Sequence, residues 1–306
     1  MLRHFISLLD WSAPELRDLI EQAIFLKREY RAGGNHPALQ GKTLALIFQR
    51  ASLRTRISFE MAMQHLGGHA LFIGPNEIEL GKRESVADVV RTLGRYTHAI
   101  LARVADHSLL LEMAKWSPVP VINGLSKYSH PCQAMADALT IYEEFGRLPG
   151  VAVSFVGDSH NDVTRSLMFA AAKFGFQLTL SSPEGYWMDS DSINKARAIG
   201  GEDAVRLIPD PVAAVRKADV IYTDTWTWSG LSETEVAERV RVLSPYQVNE
   251  TLIAQAPAHA ILMHCLPAHR GQEITDGAAD GPRARLFDQA ENRLHAQKSI
   301  VLRLMG

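Results

Sequence analysis

Short apolar runs alternate along this chain with stretches in which apolar side chains recur every three or four positions. Such alternation predicts strands interleaved with amphipathic helices. Ser12 and Glu15 have capping-box spacing ahead of Leu16, Leu19, Ile20, Ala23 and Phe25, so an amphipathic first helix is expected to about Tyr30. Thr43–Phe48 reads as a buried strand, and Phe59, Ala62, Met63 and Leu66 then share one helical face. A short strand at Ala70–Ile73, a charged loop from Pro75 to Ser85, and a helix bearing Val86, Val89, Val90 and Leu93 follow. His98–Ala102 predicts a strand ending at Arg103, Ser108–Ala114 a helix, and Val119–Asn123 another strand. A helix with Met135, Ala138, Leu139 and Tyr142 on one side closes the first half.

Gly146-Arg-Leu-Pro-Gly150 is the best boundary, after which the pattern restarts. Strands are expected at Val151–Val156, Leu178–Leu180, Val205–Ile208, Val220–Thr223 and Ala260–Met263. Helices are expected from about Asn161 to Phe174, over Ile193–Ile199, Val212–Ala218 and Glu233–Val242, and in the tail from Asp288 to Leu304. Near-continuous hydrophobic strands alternating with helices imply parallel sheets in both halves, an α/β chain. The tail is expected to dock back on the first half, since domain termini often lie close together.

At 306 residues there is room for two cores, and 32 basic against 34 acidic residues leave a net charge of -2. That balance, with no basic stripe, excludes bulk attraction to nucleic acid, so any anion is held by a local cluster. No apolar run reaches membrane-spanning length, and the N-terminus lacks a secretory h-region. Two cysteines, Cys132 and Cys265, are too few for a disulfide scaffold; a cytoplasmic protein is the expectation.

Polar residues gather at the predicted strand ends. Ser52-Leu-Arg-Thr-Arg56 stands where the first strand hands over to a helix N-terminus, where free backbone N–H groups, hydroxyls and guanidinium forks suit a phosphate. Arg103, His130 with Gln133, Asp158, Asp224 and the His264–Arg270 segment end other strands. Together they suggest a cleft with one wall for an oxyanion and an acidic wall suited to an amine. His264, Cys265 and His269 match no metal-ligand spacing, so no metal is expected. The absence of Gly-x-Gly-x-x-Gly removes the main reason to expect a dinucleotide.

The ensemble closely resembles the aspartate/ornithine carbamoyltransferase family. Ser52-Leu-Arg-Thr-Arg56 is similar to its carbamoyl-phosphate motif and His130-Pro-Cys-Gln133 to its second element. Gly157-Asp158, Asp224-Thr-Trp226, His264-Cys-Leu-Pro267 and Glu291-Asn-Arg-Leu-His295 match further blocks in order, and the last strand end points to the ornithine branch. The resemblance implies two three-layer α/β/α domains, with carbamoyl phosphate bound by residues 1–146 and the amine acceptor by 147–288, and a C-terminal helix, 289–306, returning to the first. It also implies a homotrimer or a multiple of trimers, and no cofactor. By carry-over, Ser52, Leu53, Arg54 and Thr55 bind phosphate with Arg56 supporting that wall, and Arg103, His130 and Gln133 hold the carbamoyl group. Lys82 belongs to the loop that a neighbouring subunit contributes. Asp224 and Cys265 orient the acceptor amine or depress its pKa, Leu266 lines the site with the Leu266–Pro267 bond cis, and Arg293 reaches the reacting ligand.

Two departures fall on the acceptor side. Where the ornithine branch has paired Asn, this chain has Asn161-Asp162, and Trp228-Ser229 replace a small hydroxyl residue and a methionine. The leading expectation is carbamoyl transfer to the side-chain amine of L-ornithine, giving citrulline and phosphate. The same transfer to an N-acylated ornithine, putrescine or another amino acid, and an inactive anion-binding subunit, are the alternatives.

Overall fold

In the computed structural model, which describes residues 2–228 and 230–306, the chain divides into two compact units. The first contains the residues up to Leu139 together with Glu291–Gly306. Its sheet is built from β1 (Thr43–Phe48), β2 (His69–Ile73), β3 (Ala99–Arg103) and β4 (Val121–Leu125), in the spatial order β2-β1-β3-β4 and parallel throughout. Its helices are α1 (Ala13–Arg31), α2 (Leu53–His65), α3 (Pro75–Ile78), α4 (Val86–Tyr96), α5 (His107–Trp116) and the start of α6 (Pro131–Phe145). Leu44, Ala45, Leu46 and Ile47 of β1 are all buried, as a strand covered on both faces requires. The capping box expected at Ser12 and Glu15 is present. The stretch expected to be a charged loop instead opens with a helical turn, α3, because Pro75 suits a first position and Glu77 accepts from the Gly74 N–H at 2.6 Å.

The second unit, Thr140–Ala290, carries β5 (Ala152–Val156), β6 (Gln177–Ser181), β7 (Val205–Leu207), β8 (Val220–Thr223) and β9 (Ile261–His264) in the order β7-β6-β5-β8-β9, again all parallel. Its helices are α7 (Asp162–Phe174), α8 (Ser190–Gly200), α9 (Pro211–Val215), α10 (Glu233–Leu243), α11 (Glu250–Ile253) and α12 (Asp276–Ala279). The last two are single turns, too short to leave an apolar period in the sequence. Both units are α/β/α layers, as the patterning implied. Each sheet has one point where successive strands leave in opposite directions. It lies between β1 and β3 in the first unit and between β5 and β8 in the second. Open parallel sheets bind ligands outside the C-terminal ends of their strands at such points.

The C-terminal helix, α13 (Leu286–Met305), packs on α1 in the first unit. Lys27 donates to Asn292 Oδ1 at 2.7 Å, Arg31 pairs with Glu291 at 3.1 Å, and Lys298 donates to Asn35 Oδ1 at 2.5 Å while lying 4.3 Å from the Tyr30 ring centroid. His295 is buried in this seam. Burial, then Lys298 and Lys27, push its pKa down to about 4 against the opposing pull of Glu291. The unfolded chain therefore takes up this proton first as pH falls, so the contribution is whole above pH 6.5 and shrinks toward pH 4. At pH 5 the loss is on the order of 1–2 kcal/mol. Unfolding free energies from urea titrations at pH 7.5 and pH 5 should differ less for His295→Gln than for the wild type by that amount.

Candidate active site

In the first unit, β1 ends beside β3, with Phe48 opposite Arg103. The seam is stitched beyond the strands: the Gln49 N–H donates to Arg103 O at 3.0 Å, and Gln49 Oε1 accepts from the Ala105 N–H at 3.0 Å. Ser52 then caps α2 with its extended backbone only. Ser12, Ser85 and Asp106 bond their helix N–H groups through their side chains, whereas Ser52 makes no side-chain cap hydrogen bond. The first turn of α2 thus presents N–H groups at the sheet's switch point, the arrangement an anion seeks.

Thr55, 1% exposed, is the hub of this half-site. Its Oγ1 accepts from Arg293 Nη2 at 3.0 Å and from Arg103 Nη1 at 3.3 Å. With both lone pairs used, its hydroxyl proton is left to donate. Arg293 also donates to Gln133 Oε1 at 2.6 Å, and Gln133 donates to Asp137 Oδ1 at 2.8 Å. The ladder shifts register at Ala102/Arg103, which re-aims Arg103 out of the strand. Asn123 holds the turn before α6 through Ser129 and Ile6, and so sets His130 beside the same hub.

Burial first, then the charges of Arg293, Arg103 and Arg54, press the pKa of His130 well below the imidazole range. His130 is therefore neutral and offers one N–H. Burial likewise lifts the Cys132 thiol to about 12, which removes it as a nucleophile. Two residues of the motif face elsewhere. Arg56, two positions from Arg54 and so on another side of the helix, pairs with Glu60 at 2.9 Å and lies 4.0 Å from the Phe72 ring centroid. Leu53 is 72% exposed. Lys82 is exposed on a segment anchored by buried Leu80.

The second unit's switch point gathers the ends of β5 and β8. Gly157 has φ +125 and a Cβ there would stand 2.9 Å from Trp226 Nε1, so both the turn and the close approach require glycine. Asn161 spends its side chain locally, accepting from Thr164 N at 2.7 Å and donating to Asp158 O at 2.7 Å. Asp162 follows at the first position of α7, where the helix dipole favours a carboxylate. Across the gap, Asp224 is buried, and burial raises its pKa. Its Oδ1 accepts from the Thr225 N–H at 2.7 Å and from Cys265 Sγ at 3.0 Å.

Cys265 and Leu266 follow β9, with Leu266 at φ 57 and the Leu266–Pro267 bond cis as expected. Asp224, His264 and Cys265 lie close enough to share a cation. However, His264 Nδ1 accepts from the Leu266 N–H at 2.8 Å, and its Nε2 donates to Glu273 at 3.1 Å, so both ring nitrogens are committed. His269 is tied to Thr225 and Thr227 by Nδ1. Trp228 is 49% exposed on the loop after β8, and Ser229 lies outside the described residues. Sequence reasoning missed Asn123, Arg239 and Glu273. Arg239 sits in a helix whose charges look like an ordinary solvated face, so no local signal marks it.

Comparison with known proteins adds to this geometry. Residues 3–143 match the carbamoyl-P binding domain of the aspartate/ornithine carbamoyltransferases, and 149–304 match their Asp/Orn binding domain. The chain is 48% identical over 306 residues to the anabolic ornithine carbamoyltransferase of Pyrococcus furiosus, covering 99% of this chain and 96% of that protein. It is 46% identical over 306 residues to the ornithine carbamoyltransferase of Methanoculleus marisnigri, covering 100% and 98%. The solved structure of the Pyrococcus furiosus enzyme superposes with a TM-score of 0.96, at 48% identity over 99% of this chain and 97% of that one. That of the Thermus thermophilus ornithine carbamoyltransferase gives 0.90, at 38% identity over 100% of each.

Proposed function

The chain belongs to the aspartate/ornithine carbamoyltransferase family, and from that premise we propose that it transfers the carbamoyl group of carbamoyl phosphate to the side-chain amine of L-ornithine, yielding L-citrulline and phosphate. The observation that carries the reading is the convergence of Arg54, Arg103 and Arg293 on neutral, buried His130 beside Thr55. Clustered guanidinium groups beside an uncapped helix start suit a small phosphorylated anion.

In the proposed roles, Ser52, Arg54, Thr55 and the backbone N–H of Leu53 receive the phosphate of carbamoyl phosphate, the Leu53 side chain facing elsewhere, and Gln133 orients its carbamoyl group. The neutral amine attacks the carbamoyl carbon, so a C–N bond forms while negative charge builds on the carbamoyl oxygen. Arg103, the Thr55 hydroxyl and the N–H of His130 meet that charge. The C–O bond to phosphate then breaks, and the phosphate leaves against Arg54. Arg293 ties Thr55 to Gln133 and so keeps phosphate and carbamoyl donors in one arrangement. No covalent enzyme intermediate is required.

An alkylammonium releases its proton near pH 10.4, so the acceptor must be deprotonated before attack. A carboxylate beside an ammonium favours the charged form, which makes Asp224 a group that grips and orients the acceptor; the expectation that it depresses the amine's pKa has the wrong sign. The proton passes to the phosphate. Cys265, donating to Asp224, and Leu266 line this half-site, with Asn161, Asp162 and Trp228 as its outer part.

Assembly as a homotrimer or a multiple of trimers is part of the same proposal. It is supported by the exposure of Lys82, available to a neighbouring subunit, and by the exposed apolar residues Leu53 and Ile57 on α2. A reducing, cytoplasmic setting suits a chain in which Cys132 and Cys265 form no disulfide. No helix among the described residues is long and apolar enough to cross a membrane.

The test is an assay of the purified protein with carbamoyl phosphate and a panel of ornithine, N-acylated ornithine, putrescine, lysine and aspartate, following phosphate and the carbamoylated product. Ornithine should be the preferred acceptor. Turnover with putrescine and none with ornithine would instead assign Asp162 to a substrate that lacks a carboxylate.

A further inference from the structure

We infer that Arg239, a residue of α10, is a positioning residue for the amine-acceptor half-site, acting by clamping the Trp228 loop to the turn after β5. The inference rests on the acceptor reading above. Its Nη2 donates to the buried Asp158 carboxylate, and its Nε donates to Trp226 O at 2.5 Å. Its guanidinium carbon lies 4.6 Å from the Trp228 ring centroid and 5.1 Å from that of Tyr186.

One planar cation thereby holds both sides of the second unit's switch point. Asp158 fixes the β5 side, because its other oxygen accepts from the His160 N–H at 2.9 Å, and Asn161 and Asp162 follow directly. Trp226 and Trp228 fix the β8 side, two and four residues beyond Asp224. The spacing between the two groups of acceptor residues is thus set through Arg239, which has no place in the chemistry itself. Only a fork satisfies this geometry. A lysine keeps a charge for Asp158 but cannot also reach Trp226 O and lie flat on the indole.

The experiment compares wild type, Arg239→Lys, Trp228→Leu and the double variant, each as the full chain, by steady-state kinetics in both substrates and by thermal melting. Arg239→Lys should raise the ornithine KM at least about tenfold and leave the carbamoyl-phosphate KM within about twofold. The rise should be smaller in the Trp228→Leu background, because the two residues then act through one contact. An unchanged ornithine KM, equal rises for both substrates, or full additivity of the two changes would overturn the inference. So would a loss seen only in melting temperature or in total active protein, since that is what a merely structural residue gives. A wild type that favours another amine of the panel would defeat the ornithine reading alone. The same comparison made with that amine would still decide the role of Arg239.

Discussion

Arg103→Ala is expected to lower kcat by about 10²–10³-fold, the effect of removing one preorganised donor from a developing oxyanion. Arg103 ends β3 at the switch point of the first sheet and donates to Thr55 Oγ1 at 3.3 Å. Its guanidinium is also one of the charges that keep His130 neutral. The substitution therefore removes the donor proposed for the carbamoyl oxygen and loosens the Thr55 hub. Ornithine affinity should be little changed, because Asp224 and Cys265 lie in the other unit. Rapid-mixing kinetics at saturating carbamoyl phosphate, together with an isothermal titration of carbamoyl phosphate, separate the two effects. A kcat within threefold of wild type would remove Arg103 from the chemistry.

Asp224→Asn should raise the ornithine KM by about 10²-fold, equivalent to the roughly 3 kcal/mol lost when one partner of a buried charge pair is removed. The amide is nearly isosteric and still accepts from the Thr225 N–H and Cys265, so the loop after β8 keeps its hydrogen bonds and the change is one of charge. Carbamoyl-phosphate KM should stay within about twofold. The pH dependence has a definite sign. Burial raises the Asp224 pKa, so the carboxylate neutralises at a higher pH than an exposed one as the solution is acidified. The wild type's grip on ornithine should weaken in that range, and the Asn variant should lack this limb. Initial-rate profiles in ornithine at several pH values check both points.

The sequence carried much of this protein's organisation. Strand and helix periods are local, so β1, β3, β5 and α1, α7, α13 lie close to where hydrophobic spacing put them. The position of the motif Ser52–Arg56 at a helix start was legible, and its reading as an anion site follows from the unsatisfied N–H groups that helix N-termini have in every fold. Residues at strand ends could be named one by one, since polar side chains there interrupt an otherwise apolar pattern. Asp162 and Trp228 stood out only against the family motif.

Tertiary structure alone decided which strand ends meet. Nothing in the spacing of the first half says that β1 lies between β2 and β3, yet that order is what sets Arg103 beside Ser52. Likewise, Arg293 reaches Thr55 across 238 residues because α13 docks on α1 through Lys27 and Tyr30 and on the segment after it through Asn35. Arg239 was invisible for the same reason, its partner Asp158 lying 81 residues away. Side-chain period reports which face of an element is buried; strand order and helix docking depend on which buried faces fit one another, and that is a property of the packed chain as a whole.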